Sequence, residues 1–319
     1  MLRPKRPNLL KKVATILLVF FVLLNIMAAF QAYRMTYFYE QGEVPFQRFP
    51  DKTIEQKIQT ILFGAKIPKR EMTDKPANSF EVVKLTDSEG YVLEGWYVPV
   101  QNAKGTVALF HGHASSKSQV VREADYFHQL GFNTFALDVR SHGNSQGNVC
   151  TVGYSESEGI KLVYDWIRKK GEKNLILWGV SMGASMLLKA VPAYDLKPQK
   201  IILNCPFASM HDAVKGFLRN MKIPATPLAE MLMFYGSVER NYWGFDYEPA
   251  EYAKNIKNIP ILLQWGRKDL RVQQQETDLI FKNLGTTNKQ LVIYEDSGHE
   301  SFCKKEILKW EGVVKGFLE

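Results

Sequence analysis

The chain has 319 residues, of which 45% are hydrophobic and 23% charged, and its formal net charge is +8. This balance is typical of a packed globular protein and excludes disordered, collagen-like and many-span membrane architectures. Residues 1–40 hold six basic side chains against the single acidic Glu40, so most of the excess charge lies at the N-terminus, which argues against a nucleic-acid partner.

The first predicted element is a transmembrane helix over residues 13–33, an uncharged run that would span roughly 30 Å as a helix. Five basic residues precede it, so residues 1–12 are expected to be a cytoplasmic basic tail and the rest of the chain to lie outside the cytoplasm. The alternative is a cleaved signal peptide. The run has no clean A-x-A cleavage site near Ala32, which favours a retained single-pass anchor.

Residues 34–78 form a predicted juxtamembrane lead-in. Within it, residues 51–64 place Ile54, Ile58, Ile61 and Leu62 at helical spacing, and Gly64 closes the pattern. Breaker residues at 73–76 then separate this helix from the main domain, which we expect to occupy residues 79–319.

The main domain opens with an antiparallel hairpin, predicted from the runs 80–87 and 91–99. Six short apolar runs follow, and most are separated by amphipathic helices; the runs are 106–110, 133–139, 174–178, 200–204, 260–265 and 289–294. This alternation predicts an α/β fold with a mostly parallel sheet and helices on both faces. Ligands bind such sheets at the carboxyl ends of the strands.

A serine in a strand–turn–helix context is the strongest chemical signal. Gly179 and Gly183 flank Ser181 directly after one strand run and before a helical run, as in a nucleophile elbow. The same five-residue pattern surrounds Ser145, but there it lacks both the strand and the helix. A phosphate-binding turn is the alternative, and it is disfavoured because neither GxGxxG nor a glycine loop with Lys-Ser/Thr is present.

A serine nucleophile requires a base and a carboxylate that orients the base. His299 follows the last strand run, whereas His128 lies within a predicted helix and His211 precedes an inserted segment. For the carboxylate we favour Asp269, at the end of a neighbouring strand, over Asp296, which is too close to His299 in the same turn to reach the far ring nitrogen.

Two backbone N–H groups are expected to form the oxyanion hole, those of Met182 and of His113 in the turn after the first parallel strand. The side chains of His111 and His113 are then interpreted as holding that turn. The cysteines Cys150, Cys205 and Cys303 form no CxxC pair, so we expect no zinc finger, no other metal site and no cofactor.

The order Ser181, Asp269, His299, with HGH after one strand and GVSMG after another, resembles the α/β-hydrolase superfamily over roughly residues 80–319. The loop DVRSHGNS at 138–145 resembles the D-x-R-x-H-G-x-S loop of its Bem46-like and serine-aminopeptidase-like branch, some members of which carry an N-terminal membrane anchor. The resemblance implies the α/β-hydrolase fold and serine hydrolase chemistry. The serine excludes aspartate-nucleophile members, and the missing HGGG motif disfavours a triacylglycerol lipase.

Residues 210–257 stand where this superfamily inserts a helical cap, and the segment is rich in aromatic residues. These could line a substrate pocket over Ser181 or simply form the core of the cap; the pocket candidates are Phe234, Tyr235, Tyr242, Trp243 and Phe245.

The sequence therefore predicts a membrane-anchored serine hydrolase that cleaves a carboxylic ester or thioester, with a small-molecule or lipid-derived acyl substrate. A serine peptidase of the same fold is one alternative, and a non-catalytic membrane-anchored binding module is another. The residues leave the acyl group, the leaving group and the oligomeric state open.

Overall fold

The computed structural model describes residues 9–45, 47 and 51–319. Its first element is helix α1, Leu9–Met35, which extends the expected span of 13–33 at both ends. Within the described residues, α1 is the one helix long and apolar enough to cross a membrane, judged by length and composition. The first eight residues of the expected basic tail lie outside the described part of the chain.

The lead-in segment contains a helix and two short strands. Strands β1, Phe38–Tyr39, and β2, Ile67–Pro68, pair in parallel, and helix α2, Ile54–Phe63, lies between them in the chain. Thr53 caps α2 in a capping box with Gln56, and Gly64 ends it with a φ of +79°. The spacing of the isoleucines therefore predicted α2 to within a few residues.

The main sheet has eight strands in the order β10-β9-β8-β7-β5-β6-β4-β3. Strands β3 and β4 form the antiparallel hairpin, β4 also pairs antiparallel with β6, and the remaining pairs are parallel. The strands are β3 Glu81–Thr86, β4 Val92–Val98, β5 Thr106–Phe110, β6 Asn133–Leu137, β7 Leu175–Val180, β8 Lys200–Asn204, β9 Ile261–Gly266 and β10 Lys289–Tyr294. The predicted fold class is confirmed, with β6 shorter and β7 longer than expected.

Six helices connect the strands or follow the last one, namely α3 Val121–Gln129, α4 Glu158–Lys169, α5 Met182–Ala193, α9 Gln274–Asn283, α10 Phe302–Lys305 and α11 Ile307–Leu318. Strand β6 lies on one side of β5 and β7 lies on the other, so the two connections β5–β6 and β6–β7 run across the sheet in opposite directions. Because such connections are right-handed, their helices α3 and α4 lie on opposite faces of the sheet. The ring of Tyr126 in α3 packs at a tilt against that of Trp310 in α11, which places α11 beside α3. The fully buried strands β5 and β9 are thereby covered on both sides.

Three further helices lie between β8 and β9, where we expected the cap: α6 Met210–Asn220, α7 Leu228–Glu239 and α8 Pro249–Tyr252. Helix α7 packs against both α6 and α1. The N-terminal helix is therefore in direct contact with the segment that follows β8.

Candidate active site

Ser181 lies in a tight turn between β7 and α5, with a φ of +53° and a ψ of −117°. Residues other than glycine rarely adopt this backbone conformation. It turns the chain sharply, so that the serine projects away from the line of the strand. A Cβ at Gly179 would lie 2.7 Å from the backbone of Gly183, and one at Gly183 would lie 2.2 Å from the carbonyl oxygen of Phe110. Both positions therefore require glycine, because strand, turn and helix meet there with no space left.

The turn brings Ser181 to the side chains of two other loops. Asp269 follows β9 and His299 follows β10, so all three residues come from the carboxyl ends of strands. His299 Nε2 lies 2.9 Å from Ser181 Oγ, and His299 Nδ1 lies 2.7 Å from Asp269 Oδ2. The three side chains form one continuous hydrogen-bonded relay, although 118 residues separate the serine from the histidine.

The carboxylate of Asp269 is buried and held by several donors. Burial alone would raise its pKa, but the hydrogen bond and charge of His299, together with the backbone N–H groups of Val272 and Arg271, bring the net pKa below its usual value. Asp269 is therefore ionised near neutral pH. The rival carboxylate, Asp296, is exposed and pairs instead with Lys268 at 2.8 Å.

The turn after β5 faces the serine from the other side. A Cβ at Gly112 would lie 3.4 Å from Ser181 Cβ, so glycine lets this turn approach closely. The next residue, His113, and the first residue of α5, Met182, both line a cavity beside Ser181. As the first residue of its helix, Met182 has a backbone N–H with no intrahelical partner. The two residues whose amides are predicted to form the oxyanion hole thus both lie beside the serine.

Three histidines hold this turn, and burial lowers the pKa of each. Burial and, to a smaller extent, the charge of Arg271 together lower the pKa of His113 to about 4, although a hydrogen bond to the backbone of Met35 acts in the opposite direction. His142 Nε2 accepts the N–H of Ala114 at 3.2 Å, and His111 Nε2 accepts that of Val139 at 3.3 Å. These rings are neutral and bonded to backbone, which matches the turn-holding interpretation of His111 and His113.

The loop at 138–145 supports the same turn from behind. Buried Asp138 accepts the backbone N–H of Lys117, the ammonium of Lys117 and the backbone N–H of Asn144. Ser145, in the second copy of the five-residue pattern, is buried and accepts the N–H of Glu94. Sequence reasoning missed Lys117, because a lysine in a polar stretch gives no sign that it is buried and paired.

Two cavities adjoin Ser181. The larger, about 390 Å³, has a mixed lining that includes the polar side chains of Glu123, Asn204 and Ser301. The smaller, about 70 Å³, is apolar and is lined by Met35, Val152, Phe207, Val214, Phe217 and Val272, together with residues of the relay. Arg271 lines both, whereas Arg267 and Lys268 pair with acidic neighbours.

None of the five aromatic residues proposed for the substrate pocket lines either cavity, so that prediction is corrected. Tyr242 packs on Tyr154, and the hydroxyl of Tyr235 donates to Asn25 of α1 at 2.8 Å. The rings of Phe234, Trp243 and Phe245 are between 36% and 49% exposed. For Phe234 and Tyr235, the two that lie on α7, the reason is that α7 packs against α1.

Cys205, Asp269 and His299 offer ligand-type atoms within 4.8 Å of one another. Burial raises the pKa of the Cys205 thiol well above its usual range, and the nearby carboxylate of Asp269 raises it further. The thiol is therefore neutral, and the other two groups are hydrogen-bonded to each other. These contacts fit the relay better than a metal site. All three cysteines are buried and free.

A family model described as serine aminopeptidase matches residues 101–242. Protein YqkD of Bacillus subtilis is 26% identical over 251 residues, covering 76% of this chain and 81% of that protein. Bem46 of Schizosaccharomyces pombe is 20% identical and covers 76% and 80%. A carboxylesterase of Bacillus subtilis is 23% identical and covers 63% of this chain and 86% of that enzyme.

Solved structures with the same fold include the Pyrococcus furiosus esterase Pf2001, with a TM-score of 0.65 and 22% identity, covering 79% of this chain and 97% of that one. Mouse α/β hydrolase domain-containing protein 10 has a TM-score of 0.57 and 19% identity, covering 75% and 98%. At these identities the likeness shows the fold alone.

Proposed function

Because the chain belongs to the α/β-hydrolase superfamily, we propose that it is a serine hydrolase that cleaves a carboxylic ester or thioester through an acyl-enzyme on Ser181. The observation that carries the proposal is the relay from Asp269 through His299 to Ser181, with contacts of 2.7 and 2.9 Å. A serine hydroxyl is a weak nucleophile near neutral pH, and a base at this distance can take its proton as it attacks.

In the first half-reaction, the hydroxyl of Ser181 donates to His299 Nε2, and Oγ attacks the substrate carbonyl carbon as the proton moves to the ring. Asp269, ionised and held by two backbone amides, keeps Nδ1–H of His299 turned towards itself and stabilises the charged ring. The N–H groups of Met182 and His113 stabilise the oxyanion. His299 then gives its proton to the leaving alcohol or thiol.

In the second half-reaction, water replaces the leaving group. His299 takes a proton from the water, hydroxide adds to the acyl carbonyl, and collapse of the intermediate returns the proton to Ser181 Oγ and releases the acid. The protein groups return to their starting states. This cycle uses residues of this chain and water.

The membrane part of the proposal rests on α1. Its residues 13–33 are uncharged, and most of its large apolar side chains are exposed, which is suited to a lipid environment. The basic residues before it place the N-terminus in the cytoplasm by the positive-inside rule, and the hydrolase domain on the other side.

Labelling with a fluorophosphonate tests the nucleophile. We expect the full-length protein in detergent to be labelled and its Ser181→Ala variant not to be. Ser145→Ala is the matched control, because Ser145 has the same flanking glycines but a buried hydroxyl that bonds to backbone. Labelling that survives in Ser181→Ala, or is absent from folded wild type, would overturn the proposal and favour a binding module.

A serine aminopeptidase is the second candidate, and one feature of the larger cavity favours it. Glu123 is buried there, and Ser301 donates to one of its carboxyl oxygens, whereas the other has no hydrogen-bond partner within the described residues. A carboxyl group so placed could accept the amino group of a peptide. Faster turnover of alanine p-nitroanilide than of p-nitrophenyl butyrate, lost in Glu123→Gln, would establish this candidate over the ester hydrolase.

A further inference from the structure

The end of α1 is built into the folded domain by contacts with the helix α7. Ala28 and Ala32 are fully or almost fully buried, and Asn25 accepts the hydroxyl of Tyr235. Near the end of both helices, Arg240 donates to the carbonyl oxygen of Tyr33 at 3.0 Å. These two hydrogen bonds hold α7 alongside residues 25–33 of α1.

Helix length sets where this level lies in a bilayer. About 20 helical residues cross the roughly 30 Å hydrocarbon core, so a span that starts at Leu9 ends near residue 28, and one that starts at Val13 ends near residue 32. In either case residues 25–33 lie in the last part of the core or at its boundary. Helix α7, which sits beside them, is therefore brought to the same depth.

The exposed residues in the C-terminal half of α7 are apolar. Phe234 is 48% and Val238 62% exposed, and Phe234 is the neighbour in sequence of Tyr235, which contacts Asn25. Beyond Arg240 the chain continues into Trp243 and Phe245, whose exposed rings pack on each other with centroids 4.9 Å apart. Tryptophan and phenylalanine in such a position are typical of a membrane interface.

Helix α2 also packs against α1, and it carries a second exposed apolar surface. Gln31 of α1 donates to the carbonyl oxygen of Thr60 at 2.8 Å, which places α2 at the same level. Its exposed aliphatic residues recur at spacings of four, three and one and form a stripe along one side of the helix. They are between 41% and 78% exposed, and are Ile54, Ile58, Ile61 and Leu62.

Cations and tyrosines mark the edge of this region. Tyr33, Tyr37 and Tyr39 pack in sequence just past the apolar part of α1. Arg34 and Lys66 both lie over the ring of Tyr39. Basic side chains and tyrosines at the end of an apolar helix suit the lipid headgroup layer.

We propose that the exposed stripe of α2 together with Phe234, Val238, Trp243 and Phe245, here called the collar, inserts into the lipid–water interface around α1, so that Ser181 acts on esters that reside in the bilayer. Continuity with α1 identifies lipid as the occupant. Met35, the last residue of α1, lines the apolar cavity beside Ser181, so that cavity lies close to the level at which the collar meets the membrane. The substrate part of this inference rests on the proposed function.

Nitroxide accessibility tests the collar without using activity. The full-length chain carrying Ile58→Cys or Phe245→Cys is labelled with a nitroxide and reconstituted into vesicles of phosphatidylcholine and phosphatidylglycerol. We expect high collision rates with oxygen and low rates with a water-soluble nickel chelate at both positions. Leu308→Cys is the control, because Leu308 is an apolar side chain that is 83% exposed on α11, outside the collar.

Each other outcome of this measurement overturns the collar. Nickel accessibility at Ile58 and Phe245 equal to that at Leu308 would mean that these residues face water. Low accessibility to both oxygen and nickel would mean that protein covers them, as in a dimer of this chain. Because neither readout needs a reactive serine, failed fluorophosphonate labelling would overturn the proposed function and leave the collar standing.

The inference that Ser181 acts on esters in the bilayer is tested by comparing the hydrolysis of two esters. In the double variant Ile58→Ser and Phe245→Ser, we expect hydrolysis of a long-chain fluorogenic ester embedded in vesicles to fall about fivefold or more, because apolar area is lost from the membrane face. Hydrolysis of soluble p-nitrophenyl butyrate is expected to be unchanged, since neither residue lines a cavity at Ser181. An equal fall for both esters, or none, would refute delivery from the bilayer.

Discussion

The helical glycines Gly183 and Gly236 differ in the space that surrounds them. At Gly183 a Cβ would meet the carbonyl oxygen of Phe110 at 2.2 Å, which is backbone in the central strand β5 and cannot move aside. At Gly236 in α7 an added Cβ has nothing within 4 Å. The same substitution is therefore expected to have opposite effects at the two positions.

We expect Gly183→Ala to lower the free energy of unfolding by about 1 to 3 kcal/mol or more, because α5 must move away from β5. Gly236→Ala is expected to be neutral or to raise stability by up to about 1 kcal/mol, because alanine loses less conformational entropy in a helix. Thermal unfolding of the full-length variants in detergent measures both. Equal destabilisation at the two positions would contradict the close contact at the elbow.

The roles of the two candidate carboxylates, Asp269 and Asp296, can be distinguished by substituting each one alone. In Asp269→Asn the amide would offer a donor to His299 Nδ1, so the ring would lose the tautomer in which Nε2 can take the serine proton. We expect kcat for p-nitrophenyl butyrate to fall on the order of 10⁴-fold. In Asp296→Asn, which removes an exposed ion pair with Lys268, we expect kcat within about twofold of wild type. Similar losses in both variants would contradict the assignment.

At the scale of single elements, helix α9 begins with a buried acid. Burial raises the pKa of Glu276 to about 7; the hydrogen bonds from the backbone N–H groups of Gln273 and Ala208 oppose this rise, and the negative charge of Asp212 supports it. Between the ordinary pKa of a glutamate and 7, the folded chain keeps a proton that the unfolded chain releases. Its stability contribution is therefore full at acidic pH and falls as the pH rises.

We expect wild type to lose roughly 1 to 3 kcal/mol of unfolding free energy relative to Glu276→Gln between pH 5 and pH 8, because glutamine does not titrate. Urea unfolding of both proteins at several pH values measures the difference. The result that would refute a raised pKa is a stability difference that stays constant over this range, or that grows in favour of wild type as the pH rises.

Elements were predictable from the sequence where local patterns and topology decide them. The apolar runs predicted the strands, and the rule that ligands bind at carboxyl ends of parallel strands selected Ser181, Asp269 and His299, which the structure brings together. The direction in which α7 faces was not predictable, because it depends on a contact between Tyr235 and Asn25, which are 210 residues apart. A long-range contact of this kind leaves no local sequence pattern.

At the scale of the whole molecule, the N-terminal helix is part of the site. The ring of His113 bonds to the backbone of Met35, and the side chain of Met35 forms one wall of the cavity beside Ser181. Cleavage by a signal peptidase within residues 28–32 would remove most of α1. Met35 would then lie only a few residues from a new N-terminus and would no longer be held by a helix. If α1 anchors the chain as proposed, such a cut would disrupt the cavity beside Ser181 as well as free the domain from the bilayer.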